Sequence, residues 1–180
     1  FPYTTLFRSG LNPGQVLRDQ PVLSATELSL AQEAGEDFTR VSREVMEHLY
    51  GQIRHSSSMV ILTDPAGTIL HSLGDPDFVD KARRVSLQPG GVWAESARGT
   101  NAIGTCLVEQ APVVVYQQEH YARSNHFLTC SATPIFDPQG RVSGVLDVSG
   151  DGQADPQHTM ALVRISAQQI ENIMFSQRFA

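Results

Sequence analysis

A chain of 180 residues that is 41% apolar has material for one core and its covering helices, and too little for two full domains. Its 13 basic and 19 acidic residues leave a net charge of -6, and no run of Lys or Arg builds a basic stripe, so direct nucleic-acid contact is not expected. The longest apolar run falls far short of the roughly 18 residues of a membrane span, and the two cysteines, Cys106 and Cys130, read as reduced thiols of a soluble cytoplasmic protein.

Residues 1–9, FPYTTLFRS, fit no element pattern and look like the translation of a sequencing-adapter oligonucleotide; they are set aside as a scar, which makes the chain a fragment without its native N-terminus. Residues 10–24 contain Gly10, Pro13, Gly14 and Pro21 and read as an extended arm. A helical segment, 25–55, follows. Ser24 and Glu27 have the spacing of a capping box, and Phe38, Val41, Val45, Leu49 and Ile53 recur at three- and four-residue intervals on one face.

Residues 56–155 carry the pattern of a core. The serines at 56–58 stop the helix, and 59–63 and 68–73 are strands joined by Asp64-Pro65-Ala66-Gly67, a tight reversal with Pro second and Gly fourth. The device recurs as Asp137-Pro138-Gln139-Gly140 between strands at 130–136 and 142–148. Two antiparallel hairpins with flanking helices predict an α+β fold with a central antiparallel sheet. Between them lie a helical piece near 78–85, a Pro89-Gly90-Gly91 turn, and the dense stretch 92–116, VWAESARGTNAIGTCLVEQAPVVVY, read as turn, short helix and strand, then a His-containing loop at 117–127.

The last segment, 156–180, is a helix whose Met160, Val163, Ala167, Ile170 and Met174 form a heptad seam suited to pairing with a partner helix, while Leu162, Ile165 and Ile173 face the sheet. An ordinary core helix has the same pattern.

Few residues carry chemistry. The glycines of GTNAIGT lack the spacing and lysine of a phosphate loop and serve a turn that seats a helix. Trp93 is either core or the lid of a pocket. Glu95 and Glu109 read as surface or capping carboxylates. Alternation along Val145-Leu146-Asp147-Val148 sends Asp147 to the face of Val145, where a carboxylate must be partnered or line a cavity. Cys106, His120, His126 and Cys130 are the one set with metal-ligand or redox chemistry, at irregular spacing. No nucleophile and base stand together and no G-x-S-x-G elbow exists, so no enzyme and no cofactor are expected.

GLNP at 10–13, LTDPAG at 62–67, PGGVWAESARGTNAIGT at 89–105, EHY at 119–121, LTCSATPIFDPQG at 128–140 and GVLDVSGD at 144–151 together closely resemble the N-terminal GAF sensor region of bacterial sigma-54-dependent activators of the acetoin catabolism regulator type. The resemblance implies a PAS-like GAF fold, with the terminal helices on one face of the sheet and a small-ligand cavity on the other. It implies a small-molecule effector, a homodimer through the terminal helices, and a downstream AAA+ ATPase domain and helix-turn-helix, of which the 180 residues contain no Walker loop. The expected ligand contacts are Trp93, Asn101, Thr105, His120, Cys130 and Asp147. The competing expectations are a metal or redox sensor built on Cys106, Cys130, His120 and His126, and a structural dimerisation module with a filled interior.

Overall fold

The computed structural model describes residue 11, residues 21–152 and residues 155–179. The adapter-like stretch 1–9 and most of the arm 10–24 lie outside the described residues. Seven strands and helices frame the core: α1 (Ala25–Ala34), α2 (Glu36–Ile53), β1 (Ser58–Thr63), β2 (Ile69–Gly74), β4 (Thr129–Phe136), β5 (Val142–Gly150) and the C-terminal α6 (Pro156–Phe179). Between β2 and β4 run α3 (Pro76–Arg83), α4 (Glu95–Arg98), α5 (Ala102–Glu109) and β3 (Val113–Tyr116).

The predicted caps and turns are present. Ser24 Oγ accepts from the Glu27 amide, while the Glu27 carboxylate accepts from the Ser24 amide at 2.8 Å, closing the box that starts α1. The helical segment is broken at Gly35 into α1, which buries nothing fully, and α2, which buries Val41, Val45, Met46, Leu49 and Ile53. Both hairpin turns fold by the same means: Asp64 Oδ1 accepts from the Ala66 and Thr68 amides, and Asp137 Oδ1 from the Gln139 and Arg141 amides, all at 2.9 Å.

The hairpins join through β1 and β5 into one five-stranded antiparallel sheet of order β2-β1-β5-β4-β3. Alternation then divides the core. Val60, Leu62, Ile135, Leu146 and Val148 face α2 and α6, whereas Met59, Ile61, Cys130, Ala132 and Val145 face α3, α5 and the 85–93 segment.

On α6 the structure corrects the sequence reading. Val163, Ala167 and Ile170 of the supposed partner seam are buried against α2 and the sheet, with Met174 packed beside them. Leu162 and Ile173 lie at the border of the same core, and it is Ile165, Phe175 and Phe179 that point outward, 67%, 56% and 63% exposed. The seam is therefore the domain-facing side of α6. No helix among the described residues is long and apolar enough to cross a membrane.

A buried carboxyl and its candidate functional site

The face of the sheet away from α2 and α6 holds the polar residues singled out by the sequence. Trp93 reaches it because its backbone is stitched to the first hairpin: its amide donates to the Gly67 carbonyl at 2.8 Å, and Thr68 bridges Val92. The indole is 2% exposed, donates through Nε1 to the Ser86 carbonyl at 3.1 Å, and carries the Arg98 guanidinium 4.2 Å from its ring centroid. Arg98 itself is fully buried and donates to the carbonyls of Val92, Val85 and Pro21, so it fastens the Trp93 segment to the end of the N-terminal arm. Burial lowers its pKa to about 10, which still leaves it charged.

Asn101 caps α5: its Oδ1 accepts from the Gly104 amide and its Nδ2 donates to the Gly99 carbonyl, both at 2.9 Å. Two glycines fix how closely this helix approaches its surroundings. A Cβ on Gly104 would lie 2.4 Å from the Glu95 amide nitrogen and 2.7 Å from the Trp93 carbonyl oxygen. Gly99 has a φ of 70°, and a Cβ there would strike the Tyr121 ring at 2.5 Å. The dense stretch thus packs its helix directly onto the tryptophan segment and leaves room for the 117–127 segment above it.

That segment delivers His120, which is 2% exposed. Its Nδ1 lies 2.8 Å from the Gln117 carbonyl, an acceptor only, so Nδ1 carries the proton and Nε2 is left as an acceptor. Nε2 is 3.6 Å from Cys130 Sγ, which fits a thiol donating to the ring. Cys130 Sγ is in turn 3.1 Å from Ser149 Oγ, and Ser149 Oγ donates to Asp147 Oδ2 at 2.5 Å. A continuous polar path therefore runs from the Gln117 carbonyl through His120, Cys130 and Ser149 to Asp147. Its far end is open: Asp147 Oδ1 is buried and has no hydrogen-bond partner.

The electrostatics follow from burial. Asp147, 0% exposed, has its pKa raised to about 7 by loss of solvent, against the opposing hydrogen bond from Ser149. His120 is pushed down to about 4, chiefly by burial, and is neutral. Both thiols are driven up, first by burial and then by the Asp147 charge, so neither is an activated thiolate.

Five of the six expected contacts, Trp93, Asn101, His120, Cys130 and Asp147, line one internal cavity of about 10 Å³, closed by Leu87, Ala102, Ile103 and Ser149. Thr105 is not brought there; its hydroxyl donates to Glu95 Oε2 at 3.1 Å. Glu95 is accordingly a buried carboxylate, 4% exposed, in the first turn of α4, not the surface residue that is one of its two expected readings. The sequence reading missed Ser149, although the alternation that placed Val145 and Asp147 on one face extends to it. Of the metal-ligand set, His120 and Cys130 meet, but His126 Nε2 is turned to the His120 carbonyl at 3.0 Å. No group of three His, Cys, Asp or Glu among the described residues is arranged to hold a metal ion.

The profile of the GAF domain family matches residues 37–174. The chain is 35% identical over 170 residues, 92% of its length, to the acetoin catabolism regulatory protein of Cupriavidus necator, and 36% identical over 128 residues, 71% of its length, to the acetoin dehydrogenase operon transcriptional activator AcoR of Bacillus subtilis. It spans about a quarter of the first relative and a fifth of the second, 25% and 21%. The propane 2-monooxygenase operon transcriptional activator MimR of Mycolicibacterium smegmatis is 32% identical over 71% of the chain, which covers 22% of it. Among solved structures, the Escherichia coli DhaR(N)-DhaL complex superposes with a TM-score of 0.91 over 99% of this chain and 61% of that one, at 16% identity, a likeness of fold. The chain therefore belongs to the GAF domain family, as it occurs in transcriptional regulators of metabolic operons.

Proposed function

We propose that the chain is the signal-receiving unit of a cytoplasmic transcriptional activator and that its effector is a small, uncharged, hydroxyl-bearing metabolite. The effector enters the cavity bounded by Trp93, His120 and Asp147. The observation that carries this reading is the unpartnered Asp147 Oδ1. A buried acceptor left unpaired costs about 1–3 kcal/mol, and a ligand hydroxyl donating to it recovers that cost. A carboxylate ligand would bring a second negative charge against it with no lining cation to offset the repulsion. The names of two relatives make acetoin, a hydroxyketone, the first effector to test.

At about 10 Å³ the cavity holds on the order of one water molecule, so a four-carbon ligand enters only by displacing a wall. The 117–127 segment is the wall we assign to this motion. It is held through short 3-10 turns, and its buried Asn125 leaves both side-chain polar atoms unpaired. Ligand binding is then differential between a closed and an open packing, which is the condition for a signal. The change passes along β4 and β5 to α6, and from there to an AAA+ ATPase unit elsewhere in the full-length protein. A homodimer forms through the outward face of α6, at Ile165, Phe175 and Phe179.

Calorimetric titration with acetoin, with acetate as control, tests the reading. Saturable acetoin binding with none for acetate supports it; equal or absent heats for both contradict it.

A further inference from the structure

We infer that a second ligand site lies on the opposite face of β4 and β5, in the crevice between the end of α2 and the start of α6, and that it takes a small amphiphile with a hydrogen-bond-donating head group. The crevice has a volume of about 160 Å³, far larger than the cavity around Asp147. An enclosed apolar space of about 150 Å³ is enough to hold benzene. The proposal does not rest on the function assigned to that cavity. The two sites share strands but no residues: Thr129, Ser131, Val148 and Gly150 line the crevice, and Cys130, Asp147 and Ser149, their alternates, line the cavity.

Two polar atoms in the crevice lack partners. Thr129, 9% exposed, has its hydroxyl buried and without a hydrogen-bond partner, and Asp151 Oδ1 is likewise buried and unpaired. They lie at neighbouring points of the sheet end, since Thr129 pairs in register with Gly150, the residue before Asp151. Together they place an unpaired carboxylate oxygen and an unpaired hydroxyl in the residues that wall the crevice. Asp155 adds a second carboxylate, one oxygen of which already caps α6 by accepting from the Gln157 amide at 3.0 Å. His158 is the one lining side chain able to carry positive charge, and it is exposed. Ile53, Val148 and Leu162 supply the apolar part of the lining, beside polar side chains such as Gln52, Ser56 and Ser131.

That arrangement selects a ligand. An ammonium or hydroxyl head satisfies Asp151 Oδ1 and Thr129 Oγ1, with the ammonium favoured by the carboxylate charge, and a short alkyl tail covers the apolar wall. An anionic head is excluded by the two aspartates. Because the crevice is bounded by α2 and α6, an occupant bridges the two long helices and fixes their separation.

The test is amide NMR titration of the 180-residue chain with n-butylammonium, 1-butanol and butyrate, three probes of one length and three head groups. The expected result is saturable shifts at Ser131, Gly150, Asp151 and Leu162 with n-butylammonium, weaker saturation with 1-butanol, and none with butyrate. Asp151→Asn is expected to weaken n-butylammonium by about ten-fold, and Thr129→Val, a substitution of equal shape, by about three-fold. Butyrate binding as tightly as the ammonium, no saturation by any probe, or shifts confined to residues around Asp147 would overturn the assignment. The head-group order in the unsubstituted chain decides the matter even if a variant fails to fold.

Discussion

Ser149 Oγ donates to Asp147 Oδ2 at 2.5 Å, while Oδ1 of the same carboxyl is buried with no partner. One strand thus supplies half of what an ionised aspartate needs and withholds the other half. Burial outweighs the Ser149 bond, which acts to lower it, and raises the carboxyl's pKa from 3.8 to about 7.

A raised acid pKa has a definite sign in stability. Below about pH 3.8 the group is protonated in both folded and unfolded chains. Between 3.8 and 7 the folded chain keeps a proton that the unfolded chain releases, so stability falls as pH rises and the contribution is lost above the folded pKa. Asp147→Asn removes this dependence and is expected to be more stable than the parent by a few kcal/mol at pH 8.5, roughly 5–10 °C in melting temperature. His120 acts oppositely. Its depressed pKa of about 4 contributes stability above its ordinary 6.5 that is lost as pH falls through 4. Melting curves from pH 4 to 8.5 should therefore show the parent nearly level up to about pH 6, where the two opposing slopes cancel, and then falling toward pH 8 and, in Asp147→Asn, stability that rises with pH and then stays level. A variant curve parallel to the parent's would refute the assignment.

Arg98→Met is expected to lower the melting temperature by about 10 °C or more, because the carbonyls of Val92, Val85 and Pro21 lose a buried donor, each at about 1–3 kcal/mol. Arg98→Lys should recover little, since an ammonium cannot span three acceptors while lying flat on the Trp93 ring. Differential scanning calorimetry reads both.

Gly104→Ala places a methyl group against backbone atoms of Trp93 and Glu95, neither of which can rotate away. The expected cost is about 1–3 kcal/mol, with α5 displaced from Trp93. A red-shifted tryptophan emission should accompany the loss of stability, since Trp93 is the only tryptophan in the chain.

The two sides of α6 predict opposite outcomes. Ile170→Ala removes buried core and should cost about 2–5 kcal/mol, and Val163→Ala, which removes less, a smaller amount, neither with a specific effect on mass. Ile165→Ser with Phe175→Ser and Phe179→Ser should leave the melting temperature within a few degrees and reduce the mass measured by light scattering from dimer to monomer. A triple variant of unchanged mass would place any dimer seam elsewhere.

What was legible in the sequence was the local code. Asp-Pro-x-Gly turns, the Ser24–Glu27 box and the period of two in β5 each act through residues a few positions apart, and they fixed the hairpins, the helix start and the face of Asp147. Joining the hairpins through β1 and β5 and pairing β3 with β4 are long-range choices that spacing alone does not state. The same limit explains the two misreadings. A heptad seam records that one side of α6 is apolar and is silent on whether sheet or partner covers it. Glu95 looks like a surface residue until the fold brings Thr105 to it. Arg98 gave no local sign of burial, because its acceptors come from positions 21, 85 and 92.

Trp93 lines the same cavity as Asp147, and its fluorescence reports the site without a label. Titrating acetoin into the parent and into Asp147→Asn at pH 7 is the most direct test. The account predicts a saturable emission change in the parent and an affinity about ten-fold weaker or more in the variant. Equal affinity in both chains, or no saturable change in the parent, would contradict it.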